Sequence, residues 1–347
     1  MKIRDRKIDL SFLNDAPLEE VPCSLCGSRE ATTLSRRDAL GLPVSTVMCQ
    51  SCGLIYINPR PAMEWYKTFY SSVGGKQHVY KASAHTDESK PIGSGFEAAC
   101  RHGRGLAERL GKYMRSGLTI DVGSSEGGVL AGLRDCLNII PIGIEPVPAE
   151  AQFAAKKGIP TRAVLIENIE SSGVKIPPAD NIICLKSLNH FLNPAFFFAW
   201  AWKTLKPDGR LILEVKNFRH QARRSGRVYA GIQLDHPYMF VPETVSAFVT
   251  AAGFNVLFFD VDEGKSAEKL RAQKKIGLPS GHIRIAAAKT QQPPFKLPFV
   301  PEPAIVAALE RALNPFSLYW HYFFHYATVR RNLLRRLSIN TQGPGVS

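Results

Sequence analysis

Two pairs of cysteines, Cys23 with Cys26 and Cys49 with Cys52, each leave two residues between the thiols. A C-x-x-C turn presents both thiolates to one ion, and two such turns complete a tetrahedral set of four sulfurs. Gly27 and Gly53 follow the second cysteine of each pair, where the turn needs an unhindered backbone. With four protein ligands the shell is closed, so the expected Zn2+ is structural rather than catalytic. Ordinary buried cysteines are the bland alternative, and they do not account for the paired spacing. Cys100, Cys136 and Cys184 lack it and read as core or surface thiols. The odd total of seven cysteines fits metal ligation in a reducing compartment better than a disulfide framework, which gives a cytoplasmic expectation.

A second constellation is the stretch DVGSSEGGVL, Asp121 to Leu130, placed at the end of an apolar run. Its three glycines and two serines pack little side chain and suit a tight turn whose bare N–H groups approach a ligand. In open parallel sheets ligands sit at the carboxyl ends of the strands, where the strand order reverses. Glu145 ends the next apolar run, at a distance along the chain suited to holding two ribose hydroxyls. Turn plus acid therefore implies a nucleoside cofactor. A dinucleotide fingerprint, G-x-G-x-x-G, is matched at Gly123, Ser125 and Gly128, with serine in the middle. The pattern D-x-G-x-G-x-G is matched at Asp121, Gly123, Ser125 and Gly127. Asp121 tips the choice to the latter, since an acid there repels a pyrophosphate but accepts hydrogen bonds from an ammonium group.

That second pattern resembles the first motif of class I S-adenosylmethionine methyltransferases. PIGIEPVPAEAQFAAKKGI resembles that family's second strand, with Glu145 for the ribose and Pro146 following. ADNIICLKSLNHFLNPAFFFAWAWKTLKPDGRLILEVKN resembles its fourth strand through its fifth, and DHPYMFVPETVSAFVTAAGFNV resembles the stretch after it. The likeness runs in order over about half the chain. It implies S-adenosylmethionine as cofactor, with Asp121, Gly123, Ser124, Ser125, Gly127, Glu145, Pro146, Glu167 and Lys186 as the binding set. Ser125 departs from a common glycine, and Asn189 stands where many relatives carry Glu. The cysteine pairs ending in NPRP resemble the N-terminal zinc lobe of a bacterial group that includes nucleotide-sugar C-methyltransferases.

Methyl transfer needs an aligned nucleophile and, for many acceptors, a base. His190 follows the fourth strand, and His236 with its neighbour Asp235 follows the fifth. The resembling sugar C-methyltransferases use a Tyr-x-Glu-His stretch, and the corresponding positions here are Gln233, Asp235 and His236. His236 is the favoured base, on a loop expected at the mouth of the site. Arg219, Arg223, Arg224 and Arg227 are placed to grip a diphosphate or other anion.

The net charge of +14, with clusters in the second half, fits nucleic acid, an anionic membrane or a small anionic substrate, or simply the solvated faces of a basic protein; a small anionic molecule is the expected partner. Nucleic acid is disfavoured, because KSLNHF lacks the N/D-P-P-Y/F motif and no aromatic–basic RNA module is recognisable. An RNA methyltransferase and a non-catalytic membrane-surface protein that retains the fold are the competing readings. No stretch reaches the roughly 18–20 unbroken apolar residues needed to cross a bilayer, and the N-terminal residues lack the apolar core expected of a secretory signal.

The elements that must position these residues alternate strand and helix, as in an α/β, doubly wound, mostly parallel Rossmann-like sheet. Strands are expected at LTIDVG, IIPIGIE, TRAVLI, NIICLK and GRLILEV, with FNVLFFDV and HIRIAAAK as a closing antiparallel pair. The organisation reads as a four-cysteine zinc lobe over 1–62, a helical and flexible connection over 63–115, the α/β domain over 116–290, and a proline-rich strap with a C-terminal helix over 291–347. That helix, SLYWHYFFHYATVRRNLLRRL, gathers Tyr319, Tyr322, Phe323, Tyr326, Leu333 and Leu337 on one broad face. It either packs on the main domain or makes a peripheral membrane contact.

Overall fold

A computed structural model describes residues 16–71, 91–291 and 303–325. Its centre is a seven-stranded sheet built from β6 (Gly117–Val122), β7 (Ile139–Ile144), β8 (Thr161–Arg162), β9 (Ala179–Leu185), β10 (Leu205–Lys216), β12 (Phe254–Val261) and β13 (His282–Lys289), in the order β12-β13-β10-β9-β6-β7-β8. The ladders from β10 through β8 are parallel, and β13 runs antiparallel to both β10 and β12. The chain winds outward through β7 and β8 on one side of β6, then returns to β9 and β10 on the other. The switch point thus lies between the carboxyl ends of β6 and β9, where a doubly wound sheet binds its ligand.

Alternation along the strands sends successive side chains to opposite faces. Leu211, Leu213 and Val215 meet Phe197, Phe198 and Phe248 of helices α5 (Pro194–Thr204) and α7 (Pro242–Ala251). Ile212, Ile183 and Leu185 meet Leu106, Leu130 and Leu133 of α2 (Phe96–Leu110) and α3 (Gly128–Arg134). The α2–α3 contact is close because a Cβ at Gly132 would fall 2.1 Å from the Cys100 carbonyl oxygen. The first helix, α1 (Met63–Ser71), carries buried Tyr66 and Phe69 against Leu192, and α4 (Pro148–Lys156) follows β7.

The cysteine region forms β1 (Leu18–Glu19), β2 (Ala31–Ser35), β3 (Thr46–Cys49), β4 (Ile55–Ile57) and β5 (Arg60–Pro61). Its sheet has a fourth member from far along the chain: β11 (Tyr238–Met239) pairs with β4, Tyr238 opposite Tyr56. The four cysteines, Leu54 and Tyr56 share one core with Phe197 and Phe248. Lobe and main domain are therefore continuous in packing.

Several segments differ from expectation. TRAVLI yields only the two-residue edge strand β8, after which the chain turns through Ile166–Asn168. Glu167 draws this turn over the sheet by accepting the Leu192 N–H at 2.6 Å. The basic cluster after β10 is a helix, α6 (Phe218–Ser225), whose start is capped by the Asn217 side chain. Helices α8 (Ala267–Lys275) and α9 (Pro303–Leu313) were not expected. The terminal helix is described as α10 (Pro315–His325), and Tyr326, Leu333 and Leu337 lie outside the described residues, as do 72–90 and most of the proline strap. Among the described residues no helix is long and apolar enough to cross a membrane.

Candidate active site

A cavity of about 410 Å³ opens at the switch point, within the range of small-ligand sites. Gly123, Ser125, Glu145, Pro146, Glu167, Lys186, His190 and Asp235 line it. Asp121, Ser124, Gly127 and His236 are not on its wall.

The floor begins where β6 ends. Gly123 takes φ 81°, donates its N–H to the Ile144 oxygen at 2.8 Å, and has no room for a side chain. A Cβ there would fall 2.3 Å from Ser187 Oγ, which in turn donates to the Gly123 oxygen at 3.0 Å. Ser125 also has left-handed backbone, φ 48°, which a non-glycine residue adopts only with local support. The support is visible: its N–H donates to Glu145 Oε2 at 2.8 Å, and its Oγ donates to Glu150 Oε2 at 2.6 Å. Glu145 Oε1 accepts from the Val147 N–H at 3.1 Å, so this buried carboxylate ties the loops after β6 and β7 together.

Asp121 is buried behind the loop, with Oδ1 lacking a protein partner. Burial, then the nearby Glu145, pushes its carboxyl up to about 8, with Lys186 opposing the shift. Ser124 is likewise buried with an unpartnered Oγ. Gly127 caps α3 with φ 77° and abuts Ala154 and Ile159, a packing position.

The opposite wall comes from the ends of β9 and β10. Lys186 has φ 61°, and its N–H donates to the Glu214 oxygen at 2.6 Å. Lys216 also lines the cavity; burial lowers its ammonium pKa, while Asp235 pulls the other way. Sequence reasoning passed over Lys216, although its place at the carboxyl end of GRLILEVK satisfied the strand-end rule.

His190 sits on the wall with Nδ1 2.8 Å from the Asp235 carbonyl oxygen and 3.8 Å from Asp235 Oδ2. The carbonyl can only accept, so the neutral ring carries its proton on Nδ1 and its lone pair on Nε2. The chain around it is held from two sides: Arg60 Nη1 donates to the Leu192 oxygen at 2.7 Å, and the Leu192 N–H donates to Glu167. Glu167 thus acts partly on the His190 loop, and burial raises its pKa.

His236 differs from its expected position at the mouth. It is 3% exposed, and its ring lies edge-on to His190 with centroids 4.5 Å apart. Pairing of β11 with β4 draws residues 235–239 inward, and burial keeps the His236 imidazole well below its ordinary pKa. Ligand atoms of His190, Asp235 and His236 all lie within 4.8 Å of one another. Asn189, at the departed position, is buried and donates from Nδ2 to the Tyr238 oxygen at 3.1 Å, a tie between the His190 turn and β11.

The arginine grip is corrected by the structure. Arg219 pairs with Glu243 at 2.7 Å and Glu263 at 3.0 Å, and Arg223 pairs with Glu263. Arg227 donates to the Tyr229 hydroxyl at 2.6 Å, and Arg224 is exposed on α6. The first two are consumed in holding α6 to its neighbours.

At the lobe, Cys23 Sγ lies 3.3 Å from Cys52 Sγ, and Cys26 Sγ 3.5 Å from Cys49 Sγ. All four sulfurs fall within 4.8 Å of one another and all four residues are buried. Tetrahedral zinc with ordinary Zn–S bonds spaces sulfurs about 3.8 Å apart, so the set fits that ion. The two turns repeat each other: Gly27 N–H donates to the Cys23 oxygen and Gly53 N–H to that of Cys49.

Residues 97–257 match the family model of a methyltransferase domain. No curated protein matches the sequence. Among solved structures, a Thermotoga maritima S-adenosylmethionine-dependent methyltransferase, described as a possible histamine N-methyltransferase, is similar at 16% identity, with 56% of this chain and 93% of that one covered and a TM-score of 0.41. The plantazolicin methyltransferase BpumL, in complex with a pentazolic desmethylPZN analogue and S-adenosylhomocysteine, is similar at 13% identity over 65% and 94% of the two chains, TM-score 0.44. A Listeria monocytogenes putative S-adenosylmethionine-dependent methyltransferase shows 14% identity over 57% and 100%, TM-score 0.42. The glycine turn, the second-strand acid and most of the switch-point cavity just described fall within the segment that matches the methyltransferase-domain model, which spans somewhat less than half of the chain.

Proposed function

We propose that the enzyme methylates a small anionic metabolite, with a nucleotide-linked sugar as the leading acceptor class. The observation that carries this reading is the wall opposite the glycine turn, where Lys186 and Lys216 flank a histidine of fixed tautomer. Two ammonium groups lining one cavity suit an acceptor bearing phosphate or carboxylate. When bound, S-adenosylmethionine supplies an electrophilic methyl group on a sulfonium. The loop at Gly123 admits it without side-chain obstruction. Glu145, on the cavity wall at the end of the second strand, accepts from its ribose hydroxyls while the Ser125 and Val147 N–H groups hold the carboxylate in place.

His190 is the base in this reading, in place of the more deeply buried His236. Its Nε2 takes the acceptor's proton, and the Asp235 carbonyl and carboxylate steady the imidazolium that forms. His236 packs behind and keeps the ring upright. The four-cysteine set holds structural Zn2+, closed to catalysis, and fixes the lobe whose sheet carries the Asp235–His236 segment.

Methyl transfer from labelled S-adenosylmethionine to a panel of nucleotide-linked sugars, sugar phosphates and RNA tests the reading. Transfer to a nucleotide-linked sugar is expected, and His190→Gln should cut its kcat about 100-fold or more while S-adenosylhomocysteine affinity stays nearly constant. Transfer to RNA alone, or a His190→Gln enzyme as fast as the parent, would contradict it.

A further inference from the structure

The fold brings together two basic pairs that lie far apart along the chain. Arg101 and Arg104 stand three residues apart on α2, a spacing that sets them on one side of the helix. Lys274 and Lys275 close the last turn of α8. All four line a cleft of about 690 Å³, within the range of small-ligand sites. It is separate from the cavity at the switch point, for no residue lines both.

The cleft is built into the fold. Its floor is backbone against backbone: a Cβ at Gly105 would fall 1.9 Å from the Ile276 carbonyl oxygen. One at Gly277, where φ is 87°, would fall 2.6 Å from that of Arg101. Leu278 is buried in one core with Leu106 and Leu110 of α2. Gln273 of α8 ties the same turn down, donating to the Pro279 oxygen at 3.1 Å and to Asp262 Oδ2 at 3.0 Å. The cations are thus mounted on a firm frame while their side chains reach water.

Charge in the cleft is one-sided. Arg104 pairs with Asp135 at 2.8 Å. The side chains of Arg101, Lys274 and Lys275 have no ion-pair or hydrogen-bond partner among the described residues, and Glu108 is the one acid among the described lining residues. Cations on an ordinary solvated face keep apart, whereas a concave wall of one charge sign focuses the field and concentrates counter-ions. Three unpaired cations against one carboxylate call for an anion of several charges. No aromatic ring lines the cleft, and a single-stranded nucleic acid would need rings on which its bases stack.

We propose that this cleft binds a small polyphosphate, free or as the phosphate tail of a nucleotide. Arg101 presents a planar fork to phosphate oxygens, and Lys274 and Lys275 act as point charges on the neighbouring phosphate groups. The site does not depend on the acceptor proposed for the other cavity.

Calorimetric titration of the full chain with inorganic triphosphate, ATP and orthophosphate tests this. Triphosphate should bind at least about tenfold more tightly than orthophosphate, and weaken with added salt. ATP binding more tightly than triphosphate would identify a nucleotide as the ligand, and equal binding the phosphate chain alone. Arg101→Ser/Lys274→Ser/Lys275→Ser should weaken triphosphate about tenfold or more, and Glu108→Gln should tighten it about twofold. Lys186→Ser/Lys216→Ser, in the other cavity, should retain this site. An unchanged melting temperature verifies that each cleft variant is folded. The proposal is overturned if the parent ignores triphosphate, if the cleft variant binds it like the parent, or if the cavity variant alone abolishes its binding. It is equally overturned if the cleft captures an oligouridylate far more tightly than ATP.

Discussion

Metal removal should disrupt the lobe and, with it, the wall that bears His190. Four buried sulfurs within 4.8 Å of one another form a set that suits tetrahedral zinc. Binding of structural zinc by such sets is worth about 10 kcal/mol or more, which exceeds the net stability of many domains. The consequence reaches the cavity through two connections. β11 pairs with β4, and Arg60 of β5 holds the Leu192 carbonyl two residues beyond His190. The purified chain should contain one zinc. Stripping it with a strong chelator, or making Cys49→Ser, should lower the melting temperature by well over about 10 °C. It should also abolish methyl transfer before it abolishes all secondary structure. A metal-free chain that melts with the parent and turns over normally would show that the cysteines are merely packed thiols.

The second large effect is expected at Gly123. Left-handed backbone costs a β-branched residue about 1–2 kcal/mol, and a Cβ 2.3 Å from Ser187 Oγ adds steric conflict. Ser187 cannot simply yield, since its hydroxyl is bound to the Gly123 carbonyl at the end of the neighbouring strand. Gly123→Val also fills space on the cavity floor. S-adenosylhomocysteine affinity should therefore fall about 100-fold or more, close to 3 kcal/mol, and Gly123→Ala should lie between this variant and the parent. Isothermal titration reads the loss, and a melting curve separates it from global unfolding. A Gly123→Val protein that binds like the parent would move the cofactor away from this turn.

The contrast between these positions and others shows what sequence can carry. Cys23 to Cys52 and Asp121 to Gly127 are local patterns, in which spacing along the chain already indicates a clustered thiol set and a tight turn, although of the turn only Val122, Gly123 and Ser125 reach the cavity wall. Glu145 is nearly as local, one strand further on. His236 and His190 were harder to rank because their order of depth depends on β11 joining β4. That pairing brings Tyr238 to Tyr56 from far along the chain, through a two-residue ladder with no strong hydrophobic period. Arg219 and Arg223 resembled free cations until Glu263, on the loop after β12, was brought against them. Their role could be known only once the sheet had folded. The C-terminal helix was legible as amphipathic, but its single broad face proved to be two: Tyr322 faces inward and Tyr319 outward. A pattern of apolar residues gives the face, and among the described residues it is α6 that covers the part bearing Leu318 and Tyr322.

The most direct test of the central claim is a calorimetric titration of the full chain with S-adenosylhomocysteine and, separately, with a nicotinamide dinucleotide. The geometry of Gly123, Ser125 and Glu145 predicts one-to-one binding of the first, lost by about 100-fold in Glu145→Ala, and no binding of the second. A parent protein that takes the dinucleotide and ignores S-adenosylhomocysteine, or a Glu145→Ala variant that binds as tightly as the parent, would contradict the account.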